Sequence, residues 1–156
     1  MNVFADSSAI VKLYVDEEGH ESVRALATLA VGQVARVEVP AAFWRKHRLG
    51  EMDASDAQVL TAEFEADYYG TVDEDARFTV VGVTPGILDD AARLSGRFPL
   101  RGFDAIQLAS ALAVRAVDPG VVAMAAFDIA LRSAAATEGL SLIPASLSRE
   151  GQGAGL

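Results

Sequence analysis

Two apolar runs in this chain end on an acid that is followed by a helix-forming run. The apolar segment Asn2–Ala5 stops at Asp6, and Ser7 and Ser8 then open residues 9–15, whose apolar positions recur at helical spacing. Residues 121–127, the most hydrophobic strand candidate, stop in the same way at Asp128 before a short helical run over residues 129–136. Strands separated by helices, with no hairpin turn signal between them, argue for a parallel sheet covered on both faces. In such a sheet the strand C-termini share one edge, the edge where open α/β folds bind ligands. Asp and Ser are also the favoured N-cap residues, so a single acid of this kind is explained by capping. The recurrence is what points to a site.

The remaining segments fill in the alternation. Residues 21–30 read as a helix and residues 33–36 as a short strand, with Glu38 directly after it and Pro40 in the first turn of the next helix. Gly50 stops that helix. Another begins near Asp53, with Leu60, Phe64 and Tyr68 along one face as core residues. Residues 78–83 alternate and are β-branched, as a strand requires; Thr84 and Pro85 open a helix to about Arg97, and Asp104 opens an apolar helix to Val117. Residues 140–143 form the last strand. The pattern predicts one domain over residues 1–145 and a frayed tail over residues 146–156, where three glycines occur without periodicity.

Composition narrows the class. Among 156 residues, 51% are hydrophobic, yet no uncharged stretch exceeds the eleven residues of 25–35, against the ~20 of a membrane span. Asp6 and Lys12 interrupt any apolar core of a signal peptide, and the absence of cysteine removes disulfides and thiolate metal sites. A cytoplasmic protein is expected. A net charge of −9 opposes general electrostatic attraction to nucleic acid, leaving two local basic groups: Arg45, Lys46, His47 and Arg48 together, and Arg93, Arg97 and Arg101 every four residues. A solvated helix face is the default reading of both.

Asp6, Glu38 and Asp128 each follow a strand, so all three face one rim, and Asp104 reaches it if its preceding loop returns there. Carboxylates gathered in a small volume raise one another's pKa, and a hard divalent cation relieves the conflict. All-oxygen ligation favours Mg²⁺ or Mn²⁺ over zinc. His20 and His47 lie away from these positions, and the chain has no GxSxG, P-loop or GxGxxG motif. A metal–carboxylate site without a built-in nucleophile suits activation of water against a phosphate ester.

The segments Phe4-Ala5-Asp6-Ser7-Ser8-Ala9-Ile10-Val11-Lys12-Leu13-Tyr14, the isolated Glu38, Arg101-Gly102-Phe103-Asp104-Ala105-Ile106-Gln107-Leu108-Ala109-Ser110-Ala111, and Ala126-Phe127-Asp128 together resemble a PIN domain, and within it the VapC-type toxins of bacterial toxin–antitoxin pairs. The resemblance implies a three-layer α/β/α fold with a five-stranded parallel sheet in order 3-2-1-4-5. It further implies an Mg²⁺-dependent endoribonuclease acting on RNA, with Asp6, Glu38, Asp104 and Asp128 as the acidic, metal-holding cluster and Ser7 or Ser8 as its hydroxyl partner. A VapB-like antitoxin and a homodimer are the implied partners. Members often carry Thr or Ser two residues before the last acid, where this chain has Ala126. Trp44 and Tyr69 are candidates for an antitoxin groove, and Arg45, Lys46 and Arg48 for guiding an RNA backbone.

Two other classes share some of these features. A receiver-like signalling module also places acids at strand ends around Mg²⁺, but it needs adjacent acids after the first strand and a late lysine; here serines follow Asp6 and the lysines are Lys12 and Lys46. A catalytically silent interaction protein with the same fold is the other.

Overall fold

The computed structural model describes residues 2–148. Five strands, β1 (Asn2–Ala5), β2 (Leu29–Gly32), β3 (Phe78–Val81), β4 (Val121–Ala125) and β5 (Ser141–Ile143), form one parallel sheet in the order β3-β2-β1-β4-β5. This is the expected order, and it differs from the 2-1-3-4-5 arrangement of receiver-type sheets. The strands are connected through α1 (Ser7–Val11), α2 (His20–Arg24), α3 (Ala35–Arg48), α4 (Ala54–Tyr69), α5 (Pro85–Arg97), α6 (Gly102–Val117) and α7 (Ile129–Thr137).

Strand side chains alternate between two apolar layers, as the two-residue repeat requires. Val3, Ala5, Leu29, Val31, Ala123 and Ala125 pack with Ile10, Val39, Phe43 and Phe64 on one face. Phe4, Ala30 and Met124 pack with Ile87, Leu94, Leu108 and Leu131 on the other. The three layers are therefore helices, sheet, helices. Phe64 and Tyr68 are buried and Leu60 packs against the same cluster, as the spacing along α4 predicts.

Several boundaries differ from the sequence expectation: the helix expected over residues 9–15 ends at Val11, and the strands expected over 78–83 and 121–127 end at Val81 and Ala125. The stretch expected to be helical to residue 30 instead leaves α2 at Arg24 and becomes β2 at Leu29, and the strand expected over residues 33–36 is a turn leading into α3. An Ala- and Leu-rich run has good helix propensity, but all of β2 is buried, and burial against neighbours on both faces overrides propensity. Consequently Glu38 lies inside the first turn of α3 rather than before it, and Pro40 is interior. Likewise α6 begins at Gly102, so Asp104 stands in its first turn rather than at its start. Of the tail expected over residues 146–156, residues 149–156 lie outside the described part.

Candidate active site

The sheet reverses its winding between β1 and β4: the chain runs outward from β1 to β2 and β3, then returns to β4 on the opposite side. That crevice, at the carboxyl ends of the two strands, is where open α/β sheets bind ligands. Asp6 stands in it. Its backbone N–H extends the β1–β4 ladder by donating to the Ala125 carbonyl at 3.0 Å, which fixes where its side chain can go.

Asp6 is also the N-cap of α1, so capping and site position coincide in one residue. Its Oδ1 accepts from the Ala9 N–H at 3.0 Å and the Ser8 hydroxyl at 2.7 Å, while Oδ2 has no hydrogen bond among the described residues. The residue is only 4% exposed, and no Lys or Arg pairs with it among the described residues. Burial lifts its carboxyl from the ordinary 3.8 to about 7, against the pull of the Ala9 and Ser8 hydrogen bonds, with Asp104 and Glu38 adding to the rise. Asp6 thus lies close enough to feel the carboxylates of Asp104 on α6 and Glu38 on α3.

Glu38 is held by two donors on Oε1, the Ser7 hydroxyl at 2.9 Å and Gln107 Nε2 at 2.9 Å, and Gln107 Nε2 also reaches Ser7 Oγ at 2.8 Å. Both serines therefore hydrogen-bond one of the candidate acids, Ser8 to Asp6 and Ser7 to Glu38. Gln107 was not singled out from sequence. It is 1% exposed in a largely apolar helix, and a polar residue three positions after Asp104, on the same helical face, was the available signal. Its amide fits because Gly32, at the end of β2, carries no side chain: a Cβ there would lie 2.9 Å from Gln107 Oε1. That Oε1 is buried without a hydrogen-bond partner.

Asp128 caps α7, its Oδ2 accepting from the Leu131 N–H at 2.9 Å. It is joined to the others through Arg101, whose Nε lies 3.3 Å from Asp104 Oδ2 and whose terminal nitrogen lies 3.9 Å from Asp128 Oδ1. Arg132, buried on α7, donates to the Ala126 carbonyl at 2.9 Å and the Pro144 carbonyl at 2.7 Å, pinning the connection that presents Asp128. Ala126 itself is fully buried within the layer of α5, α6 and α7, so a hydroxyl at that position would start from the core side.

A cleft of ≈ 560 Å³ is lined by Glu38, Arg101, Gly102, Phe103, Asp104 and Ile106. A second, of ≈ 500 Å³, lies beyond Asp128 beside Lys12, Phe127 and Ile129 and holds none of the four acids. Among the described residues no three acidic or imidazole side chains converge to hold one ion directly. The donor set nevertheless fits Mg²⁺ or Mn²⁺: every candidate ligand is a carboxylate oxygen, Asp6 has no Lys or Arg partner among the described residues, and Mg²⁺ commonly takes one or two carboxylates and completes its shell with water.

The groove and backbone-guiding assignments fare differently. Trp44 packs against the first core layer, and Tyr69 is exposed at the end of α4, where its hydroxyl accepts from Arg36; neither lines the acidic cleft. Lys46 is taken up by Glu17 and Glu51, while Arg45 and Arg48 remain exposed at the C-terminal end of α3, without an ion pair among the described residues. No helix is long and apolar enough to cross a membrane among the described residues.

No family model matches the chain. It is 36% identical over 153 residues to Ribonuclease VapC45 of Mycobacterium tuberculosis strain CDC 1551 / Oshkosh, covering 93% of this chain and 96% of the relative. Identity and coverage are the same for Ribonuclease VapC49 of strain ATCC 25618 / H37Rv. Among solved structures, PAE2754 from Pyrobaculum aerophilum superposes with a TM-score of 0.61 at 20% identity, over 92% of this chain and 85% of that one. A toxin–antitoxin complex from Klebsiella pneumoniae gives 0.54 at 14% identity, over 84% and 90%. At these identities the structural likeness is one of fold.

Proposed function

We propose that this chain, which belongs to the VapC ribonuclease family, is an Mg²⁺- or Mn²⁺-dependent endoribonuclease and the toxin of a VapBC-type pair. In this reading it is cytoplasmic, homodimeric and restrained by a VapB-like antitoxin. The observation that carries the chemistry is Asp6: a carboxyl at the switch point, pushed up to about 7 by burial and further by Asp104 and Glu38, with no cationic side chain paired to it among the described residues.

Asp6 and Asp104 would hold the cation, with Glu38 and Asp128 completing the shell or orienting water. When bound, Mg²⁺ or Mn²⁺ acidifies water and neutralises charge on a phosphate. The chain's own residues supply orientation. Ser7 and Gln107 fix Glu38 through Oε1 and leave Oε2 to accept a hydrogen bond from the attacking water. Asp128, fixed through Oδ2 as a helix cap, leaves Oδ1 toward the same rim. The receiver-like alternative loses support from the strand order, and the kinship with relatives named as ribonucleases favours an enzyme over a silent interaction protein.

The deciding test is Asp104→Asn. It is expected to abolish Mg²⁺-dependent cleavage of single-stranded RNA while circular dichroism stays native; cleavage at the wild-type rate would overturn the assignment.

A further inference from the structure

The three arginines spaced every four residues are used differently. Arg93 pairs with Asp90, and Arg97 with Glu138 at 2.7 Å. Arg101 alone turns to the acidic rim, where it bridges Asp104 and Asp128 while remaining 82% exposed. Exposed ion pairs are weak, so the guanidinium is free to leave. Beside it stands Phe103, 58% exposed, part of neither apolar core and lining the same cleft as Glu38 and Asp104.

Arg101 and a divalent cation compete for the same carboxylates. A cation taken by Asp104 removes the attraction that holds the guanidinium and repels it. The released side chain then stands at the lip of the cleft with a planar fork that matches phosphate oxygens, next to an aromatic face on which a base can stack. In a chain of net charge −9, a cation placed at this lip is where a polyanion can be gripped.

We infer that Arg101 is a displaceable counter-ion of the acidic cluster that turns to a phosphate of single-stranded RNA once a cation is bound, with Phe103 as the stacking face for the adjacent base. This role presupposes the ribonuclease reading.

Its signature is a pair of effects with opposite sign. In RNA-free protein, Arg101→Gln removes a competitor, so Mn²⁺ measured by isothermal titration calorimetry should bind about two- to fivefold more tightly, the scale of an exposed ion pair. Against single-stranded RNA the same variant should raise KM about tenfold with little change in kcat. It should also flatten log(kcat/KM) against log[KCl] by about 0.7, one phosphate contact on a single strand. Arg101→Lys should restore the salt slope but only part of the KM. Phe103→Ala should raise KM about tenfold and leave Mn²⁺ affinity unchanged. A wild type that binds Mn²⁺ and cleaves RNA, matched by Arg101→Gln in both assays, overturns this inference alone. Weaker Mn²⁺ binding by Arg101→Gln overturns it too. A wild type that neither binds Mn²⁺ nor cleaves removes the ribonuclease reading and this one together.

Discussion

Asp6→Asn should make the metal-free protein more stable, and the structure gives the size and sign of the effect. The Asp6 carboxyl is 4% exposed and lifted from 3.8 to about 7, a difference of about three units, or roughly 4 kcal/mol at 1.36 kcal/mol per unit. That is a ceiling on what the ionised group costs the fold. Between about pH 4 and pH 7 the folded state keeps a proton that the unfolded chain has released, so stability falls as pH rises through this window and is lowest above it. Asparagine carries no such charge and keeps an acceptor for the Ala9 N–H. If half the ceiling is realised, the variant gains about 2 kcal/mol at pH 8, and a domain of this size gains roughly 2–4 °C in Tm per kcal/mol.

Thermal melts in EDTA at pH 8, 6 and 4, followed by circular dichroism, measure this directly. Asp6→Asn should melt some 4–8 °C above wild type at pH 8, with the gap shrinking at pH 6 and closing near pH 4. With Mn²⁺ at a hundredfold excess over its dissociation constant, wild type should gain about 2.7 kcal/mol and the variant much less. A residue that only caps α1 predicts no gain at pH 8, because Asn caps about as well as Asp. A variant that melts at or below wild type in EDTA at pH 8, or a gap independent of pH, would refute the reasoning.

Gln107→Leu removes one of the two donors on Glu38 Oε1 together with the unpartnered Gln107 Oε1. Stability should stay within about 1 kcal/mol of wild type as the two losses offset, while RNA cleavage falls about ten- to a hundredfold because Glu38 is then held by Ser7 alone; unchanged cleavage would leave Gln107 a core residue only. Charge reversal at Arg45 and Arg48 should lower the salt dependence of RNA binding by up to about 1.4 in slope, about 0.7 per phosphate contact. An unchanged slope in filter-binding titrations would make these arginines a solvated helix end.

The strand–acid–helix punctuation was legible because each boundary is local. Asp6 and Asp128 are both caps and both stand at strand ends, and capping leaves a direct mark on the sequence. Asp104 needed its loop to return to the rim, which no periodicity states; the resemblance of the segment around it carried that residue. The boundary of β2 was hidden for a different reason. A strand buried on both faces shows no alternation, and residues 25–30 consist of helix-tolerant Ala and Leu with one Thr, so only the neighbouring strands decide its state. Gln107 offered only a weak local signal, its spacing from Asp104, because its role depends on Gly32, on another element far away in the chain, leaving room for its amide.

The acids of this site divide their oxygens between two tasks. Asp6 commits Oδ1 to the Ala9 and Ser8 donors, Asp128 commits Oδ2 to the Leu131 N–H, and Glu38 commits Oε1 to Ser7 and Gln107. In Asp6 and Glu38 the second oxygen has no hydrogen bond among the described residues, and in Asp128 it meets only the distant edge of Arg101. The committed oxygen holds the side chain in one orientation at little cost in entropy, and the uncommitted one is left with ligand capacity. This division explains why asparagine is the informative replacement at Asp6 and Asp128: it keeps the acceptor that caps the helix and deletes the charge that a cation needs. Alanine would confound the two, since losing a cap alone costs about 1 kcal/mol. Asp128→Asn and Asp128→Ala should therefore lose cleavage alike yet separate by about 1 kcal/mol in urea denaturation, with the Ala variant the weaker. Equal stabilities would mean that the α7 cap contributes nothing and that Asp128 is positioned by Arg101 and Arg132 instead.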